Sequence, residues 1–300
     1  MLKNHSILRA LGALLVFILV VFTGVFFYAY LTGGDARALS LFAGDGVAVL
    51  EIEGAIEDSQ TVLTELKRFK EMPWVKAVVV RIDSPGGAVA PTQEIFEEIV
   101  RSKKQKPFIA SLGGMATSGG YYIAAACDRI VANPGTLTGS IGVIMQLTNV
   151  EELMKKIGVR GVSVKSGPNK DIGSPFQPLS PEGREILQGL VDNVHSQFVV
   201  AVAKGRSMEE TQVRKLADGR IYSGAQAQKL GLVDQFGTLQ DAIEIAAKRG
   251  GIEAEPAVYY SRPEQERWWE RMFMGIFGRR LPGPERGGWL RYEWSPALLQ

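Results

Sequence analysis

Val75-Lys76-Ala77-Val78-Val79-Val80-Arg81-Ile82-Asp83-Ser84-Pro85-Gly86-Gly87 runs from a β-branched apolar stretch directly into a proline and two glycines. Residues 75–82 read as a buried strand by that β-branched density. The glycine pair lets backbone N–H groups approach a ligand closely. A second run, Ser111-Leu112-Gly113-Gly114-Met115-Ala116-Thr117-Ser118-Gly119-Gly120-Tyr121-Tyr122, places a small hydroxyl in a glycine-rich bend that opens an apolar segment. That suits a serine, Ser118, exposed at a helix N-terminus, where N–H groups and the helix dipole favour developing negative charge. Together the two runs look like a nucleophile and an oxyanion hole.

Outward from this pair the pattern is α/β. Strands are expected at 47–52, 75–82, 107–112, 129–132 and 141–145, with an extended stretch at 161–165. Helices are expected at 61–70, 92–102, 151–157, 182–204, 207–217, 223–229 and 239–248. Ile186, Leu190, Val194, Phe198 and Val202 recur every four residues, and Pro181 marks that helix's start. Residues 166–176 form a loop by their glycine and proline content. A β-β-α rhythm recurs loosely, without clear sequence repetition.

The 300 residues are 46% hydrophobic with a net charge of +2, enough for one sizeable core plus appendages. Near charge balance gives no reason to expect nucleic-acid binding. The single cysteine, Cys127, excludes an intrachain disulfide and a cysteine-rich zinc site, and its apolar setting reads as packing. No charge interrupts the sequence from Ala10 to Leu31, a run long enough to cross a bilayer as a helix. Lys3 and Arg9 precede it and Asp35 follows, so the positive-inside rule puts everything after residue 35 across the membrane, periplasmic or extracellular. Ala36-Arg37-Ala38 has a small-x-small form, but it lies well beyond the apolar run, and a retained anchor is the expectation over a cleaved signal peptide. The expected organisation is a cytoplasmic stub and anchor over 1–34, a catalytic domain over 45–250 and a tail over 251–300. In the tail, Trp268, Trp269, Met272, Phe273, Ile276 and Phe277 alternate with Arg267, Arg271, Arg279 and Arg280. It reads as an amphipathic membrane-surface segment, or as a tail packed on another subunit or disordered.

A serine hydroxyl needs a base. Of two histidines, His5 lies before the anchor, on the other side of the bilayer, and His195 sits beside the apolar stripe of a long helix, where a structural role is the simpler reading. No Gly-x-Ser-x-Gly elbow surrounds Ser118. Lysine can replace histidine where burial favours its neutral form. Lys170 stands apart from the other lysines by its Gly/Pro-shaped loop, with Ile172 and Phe176 nearby. Taken alone, a loop lysine is a solvated surface group. The glycine pair at 86–87 could equally make a turn, and Tyr121 and Tyr122 read as packing.

Five motifs then stand in order: Ser84-Pro85-Gly86-Gly87; Thr117-Ser118-Gly119-Gly120-Tyr121-Tyr122; Thr138-Gly139-Ser140-Ile141-Gly142-Val143; Ser166-Gly167-Pro168-Asn169-Lys170-Asp171; and Ala217-Asp218-Gly219-Arg220-Ile221-Tyr222-Ser223-Gly224 before Ala227–Asp234. Over residues 45–250 the chain resembles the signal peptide peptidase A family of membrane-anchored Ser-Lys proteases in its short, single-repeat form. The resemblance implies the spiralling β-β-α fold of the Clp protease/crotonase superfamily. It implies Ser118 as nucleophile, Lys170 as general base, Ser140 as a hydrogen-bond partner holding the lysine amine, and backbone N–H groups of Gly87 and Gly119 as the oxyanion hole. Without the resemblance, Ser140 would pass for a turn serine. The resemblance further implies remnant signal peptides and similar apolar peptides as substrates and an acyl-enzyme mechanism needing no metal or organic cofactor. Because this chain has one repeat where longer members have two, a homo-oligomeric ring with sites shared between subunits is expected. Two rival readings use the same features: a crotonase-like acyl-CoA enzyme, and a non-catalytic membrane scaffold.

Overall fold

The computed structural model describes residues 12, 14–24, 44–261 and 291–293, which fall into two units divided after Gly44. In the first, residues 14–24 are helical. Among the described residues no helix is long and apolar enough to cross a membrane, and residues 10, 11, 13 and 25–31 of the expected anchor lie outside them. The tail's Trp/Arg segment at 267–280 also lies outside the described residues.

The second unit runs in the order β1 (Gly46–Glu53), α1 (Gln60–Glu71), β2 (Val75–Ser84), β3 (Gly86–Ala88), α2 (Val89–Ser102), β4 (Phe108–Thr117), α3 (Gly119–Ala124), β5 (Arg129–Ala132) and β6 (Leu137–Gly139). Next come α4 (Glu151–Lys156), α5 (Pro181–Arg206), α6 (Glu210–Leu216), β7 (Ile221–Ser223), α7 (Gly224–Lys229), β8 (Gln235–Phe236), α8 (Leu239–Arg249), β9 (Ala257–Tyr260) and β10 (Arg291–Glu293). The main sheet follows the order β7-β6-β4-β2-β1-β9, with β5 on β4 and β8 on β5. All its pairings are parallel except β6 with β7. This is a mixed α/β fold.

The continuous apolar runs of β1 and β2 follow from burial on both faces. Ala48, Leu50, Ile52, Val78, Val80 and Ile82 belong to a large core shared with α1, α2, α3 and α5. Val47, Val49, Ala77, Val79 and Ile109 face the opposite way, against Ala242, Ile243, Ala246 and Ala247 of α8. Local signals set the helix starts. Ser180 caps α5 with Pro181 at its first position, and capping boxes at Ser223/Gln226 and Thr238/Asp241 open α7 and α8.

Two expectations change. No strand spans 141–145. The strand of that region is β6, and Gly139 (φ 79°) and Ser140 (φ 51°) turn the chain out of extended geometry directly after it. The four-residue stripe of α5 is buried only in its second half, at Phe198 and Val202, while Ile186 and Leu190 are exposed. The sheet also continues past Gly251, because β9 adds in parallel to the outer edge of β1.

Candidate active site

Ser118 lies between β4 and α3 with φ 53° and ψ −114°, and is only 1% exposed. A residue other than glycine in such a region costs about 1–3 kcal/mol, so its surroundings must hold it there. They do so from both sides. The Ser118 N–H donates to the Gly139 carbonyl at 2.8 Å, and the Ser118 carbonyl accepts from Tyr122 N–H at 2.8 Å, the first bond of α3. Gly119 follows as the first residue of α3, where first-turn N–H groups lack intrahelical acceptors. Among the described residues, two other non-glycine residues have positive φ. Ser207 is a left-handed C-cap of α5, whereas Ser140, like Ser118, sits at this site.

The glycine pair is built into a short strand. The Ser84 hydroxyl donates to the Gly54 carbonyl at 2.6 Å and accepts from Gly86 N–H at 3.1 Å, which seats Gly86 at φ 102°. Ile56 N–H donates to the Gly86 carbonyl, and Ala88 N–H donates to the Ile56 carbonyl. Since N–H groups alternate sides along an extended strand, Gly87 N–H points away from Ile56. On that other side lies β10, antiparallel, with Tyr292 opposite Gly87. A side chain cannot replace the hydrogen of Gly87, because a Cβ there would lie 2.2 Å from the Ile56 carbonyl oxygen. The two strands that carry Ser118 and Gly87 are tied directly, Thr117 Oγ1 donating to the Pro85 carbonyl at 3.2 Å.

Ser140 is buried and its N–H donates to the Arg220 carbonyl at 2.8 Å. It lines a cavity of about 450 Å³ with Ile144, His195 and Asp218. His195 is half-buried, and its Nε2 is shielded from solvent with no hydrogen-bond partner among the described residues. Lys170 is exposed, in the loop between α4 and α5. The neighbouring Asp171 is engaged by Lys165 at 2.5 Å, a hydrogen bond that holds its carboxyl below the usual range. No hydrogen bond or ion pair joins Lys170 to Ser118 or Ser140 among the described residues. The structure thus brings together Ser118, Gly119, Gly87 and Ser140 through adjoining backbone, and leaves Lys170 on the surface. No group of three or more His, Cys, Asp or Glu among the described residues is arranged to hold a metal ion.

Residues 100–253, which include Ser118, Ser140 and Lys170, match peptidase family S49. The chain belongs to this family, the signal peptide peptidase A family. The protease-named slr0021 of Synechocystis sp. is 45% identical over 211 residues, covering 70% of this chain and 76% of the relative. Protease 4 of Salmonella typhi is 35% identical over 76% of this chain, and the chloroplastic serine protease SPPA of Arabidopsis thaliana is 33% identical over 74%. The chain spans only 40% and 34% of the length of these two.

As an S49 member the chain is a peptidase, and several of its neighbouring residues behave as the sequence suggested. Tyr121 is fully buried and donates to the Leu232 carbonyl at 2.9 Å, while Tyr122 packs against Phe96 and Phe198. Burial pushes the Cys127 thiol upward, away from the reactive thiolate. Sequence reading passed over Asp83, Ser84 and Thr117 as site residues. Each is a small polar side chain whose partner is a backbone group of another segment. The only hint in the sequence is polar residues placed two or three positions before the glycines.

Proposed function

We propose that the protein is a membrane-anchored serine endopeptidase that degrades remnant signal peptides and similar apolar peptides. The observation that carries this is the buried, strained Ser118 held beside a glycine strand through Thr117 and Pro85. Ser118 Oγ attacks the scissile carbonyl while the Lys170 amine takes its proton. The resulting oxyanion is met by the N–H groups of Gly87 and Gly119, donors that cost no reorganisation at the moment of reaction. Collapse expels the amine, protonated by Lys170, and leaves an acyl-enzyme that water hydrolyses with Lys170 again as base. Ser140 orients the amine. The antiparallel seat of β10 on β3 supports an extended peptide as the ligand of that edge. The fold fits the spiral of the Clp protease/crotonase superfamily, β5 and β6 stacking end to end along one edge of β4, and family membership favours peptide over acyl-CoA chemistry.

The catalytic base comes from a neighbouring copy in a homo-oligomer. Val162 and Val164 are 87% and 100% exposed in the segment leading to Lys170, with Ile157, Val159 and Phe176 also exposed. Such contiguous apolar exposure marks an interaction surface. The uncharged run over 10–31 anchors the enzyme, with the catalytic domain on the far side of the membrane. A serine-reactive fluorophosphonate tests the assignment. Covalent label should appear on the native chain at Ser118 and be absent from Ser118→Ala. Equal labelling and equal peptidase activity of the two would end the serine reading.

A further inference from the structure

Strands β2 and β4 run in step from Val78↔Phe108 to Ile82↔Leu112, and then again at Ser84↔Ala116. Between these points Asp83 alone faces three residues, Gly113, Gly114 and Met115. Two extra residues are therefore looped into the strand that delivers Ser118. The excess coincides with a change of neighbours. Before it β4 pairs with β5, and after it with β6, whose Gly139 carbonyl holds Ser118.

A bulge leaves backbone groups without ladder partners. Here the Asp83 carboxylate accepts both freed donors, Gly114 N–H at 3.3 Å and Met115 N–H at 3.0 Å. The Gly113 carbonyl accepts from Thr136 Oγ1 at 2.8 Å. The carboxylate rests against Gly113 so closely that a Cβ there would lie 2.7 Å from Oδ2. The main chain of Asp83 faces the other half of the site, its carbonyl accepting from Gly54 N–H at 3.0 Å. Gly54 in turn holds Ser84, and Ile56 holds the glycine strand.

We infer that Asp83 is a positioning residue: its side chain shapes the bulge that carries Ser118, its main chain anchors the segment that carries Gly87, and it thereby sets the spacing between nucleophile and oxyanion donor. This rests on the reading of Ser118 as nucleophile. A carboxylate can accept from two N–H groups at once. An asparagine in the same place offers one acceptor and turns an NH₂ toward the second donor. Asp83 touches no reacting atom, so its loss lowers turnover without changing which groups titrate.

The test uses the full-length protein in detergent and a fluorogenic peptide. Asp83→Asn should lower kcat by about 10- to 100-fold, the scale of a misplacement near 1 Å at a reacting group. KM should move less than about threefold, the thermal midpoint should hold, and fluorophosphonate labelling should slow in step with kcat. The pH–rate profile should keep its shape at a lower plateau. Gly113→Ala, which pushes the carboxylate off its seat from the other side, should reproduce the effect and keeps the inference testable should Asp83→Asn misfold. Full kcat in folded Asp83→Asn, or a changed profile shape, overturns the inference. So does a kcat loss that merely follows a loss of folded protein in both variants. Failure of the nucleophile reading is a separate result: an active Ser118→Ala.

Discussion

Gly87→Ala should abolish most activity while leaving a folded protein. The added methyl would sit 2.2 Å from the Ile56 carbonyl oxygen, 2.5 Å from its nitrogen and 2.7 Å from its carbonyl carbon. All three are backbone atoms, so no side chain can rotate aside, and contact at ordinary van der Waals distance requires β3 to move by about 1 Å. That displacement carries Gly87 N–H away from the place of the oxyanion in the proposed mechanism. Losing one such donor costs about 100- to 1000-fold in kcat, or about 2.7–4 kcal/mol of transition-state stabilisation. The overpacking itself costs about 1–3 kcal/mol of folding stability. Gly135→Ala is the matched control, since nothing lies within 4 Å of its added carbon. Steady-state kcat on a fluorogenic peptide, with thermal midpoints for both variants, separates the effects. A Gly87→Ala enzyme with native kcat would refute the placement of an oxyanion donor at this strand.

Three further outcomes are expected. Val162→Asp with Val164→Asp should lower the oligomeric mass seen by light scattering and reduce activity in parallel, while the monomer keeps its circular dichroism. Unchanged mass would remove this segment from any subunit contact. Deleting residues 291–300 vacates the edge of β3 facing Gly87 N–H and should raise kcat/KM for peptides severalfold. An unaltered value would mean that β10 does not compete with substrate. Co-assembled Ser118→Ala and Lys170→Ala chains, each inactive alone, should regain about a quarter of native activity if sites are shared between neighbours. Background activity in verified mixed assemblies would assign both residues to one chain.

What could be read from the sequence was whatever depends on a residue's own run. Strands β1 and β2 are legible because burial on two faces leaves an apolar run with no alternation, and α5, α7 and α8 are legible because each carries its own cap. Ser118 and Gly87 stand out because glycines flank them. Strand β6 was misplaced because its position depends on the two extra residues opposite Asp83, a property of the β2–β4 register that neither strand shows alone. The exposed half of the α5 stripe has the same cause in reverse: Ile186 and Leu190 have the pattern of core residues, but the core of this chain stops short of them. Asp83, Ser84 and Thr117 escaped notice because what they bind is backbone from segments about 30 residues away.

The two halves of the proposed dyad occupy opposite extremes of burial, and this bears on how such an enzyme is controlled. The chain's own fold supplies everything that must be rigid: the strained Ser118, the Gly87 strand and the tie between them. It leaves the proposed base in an exposed loop. On the proposed mechanism Lys170 acts only once another surface covers its exposed loop and brings it to Ser118. The residues beside it provide the means. Burying a valine side chain contributes about 1.5–3 kcal/mol, and Val162 and Val164 are both almost wholly exposed in the single chain. Association that buries them strips water from the Lys170 loop in the same step. On the proposed reading, activation of the base and assembly of the particle would be one event, and a lone chain would hold a nucleophile that it cannot use.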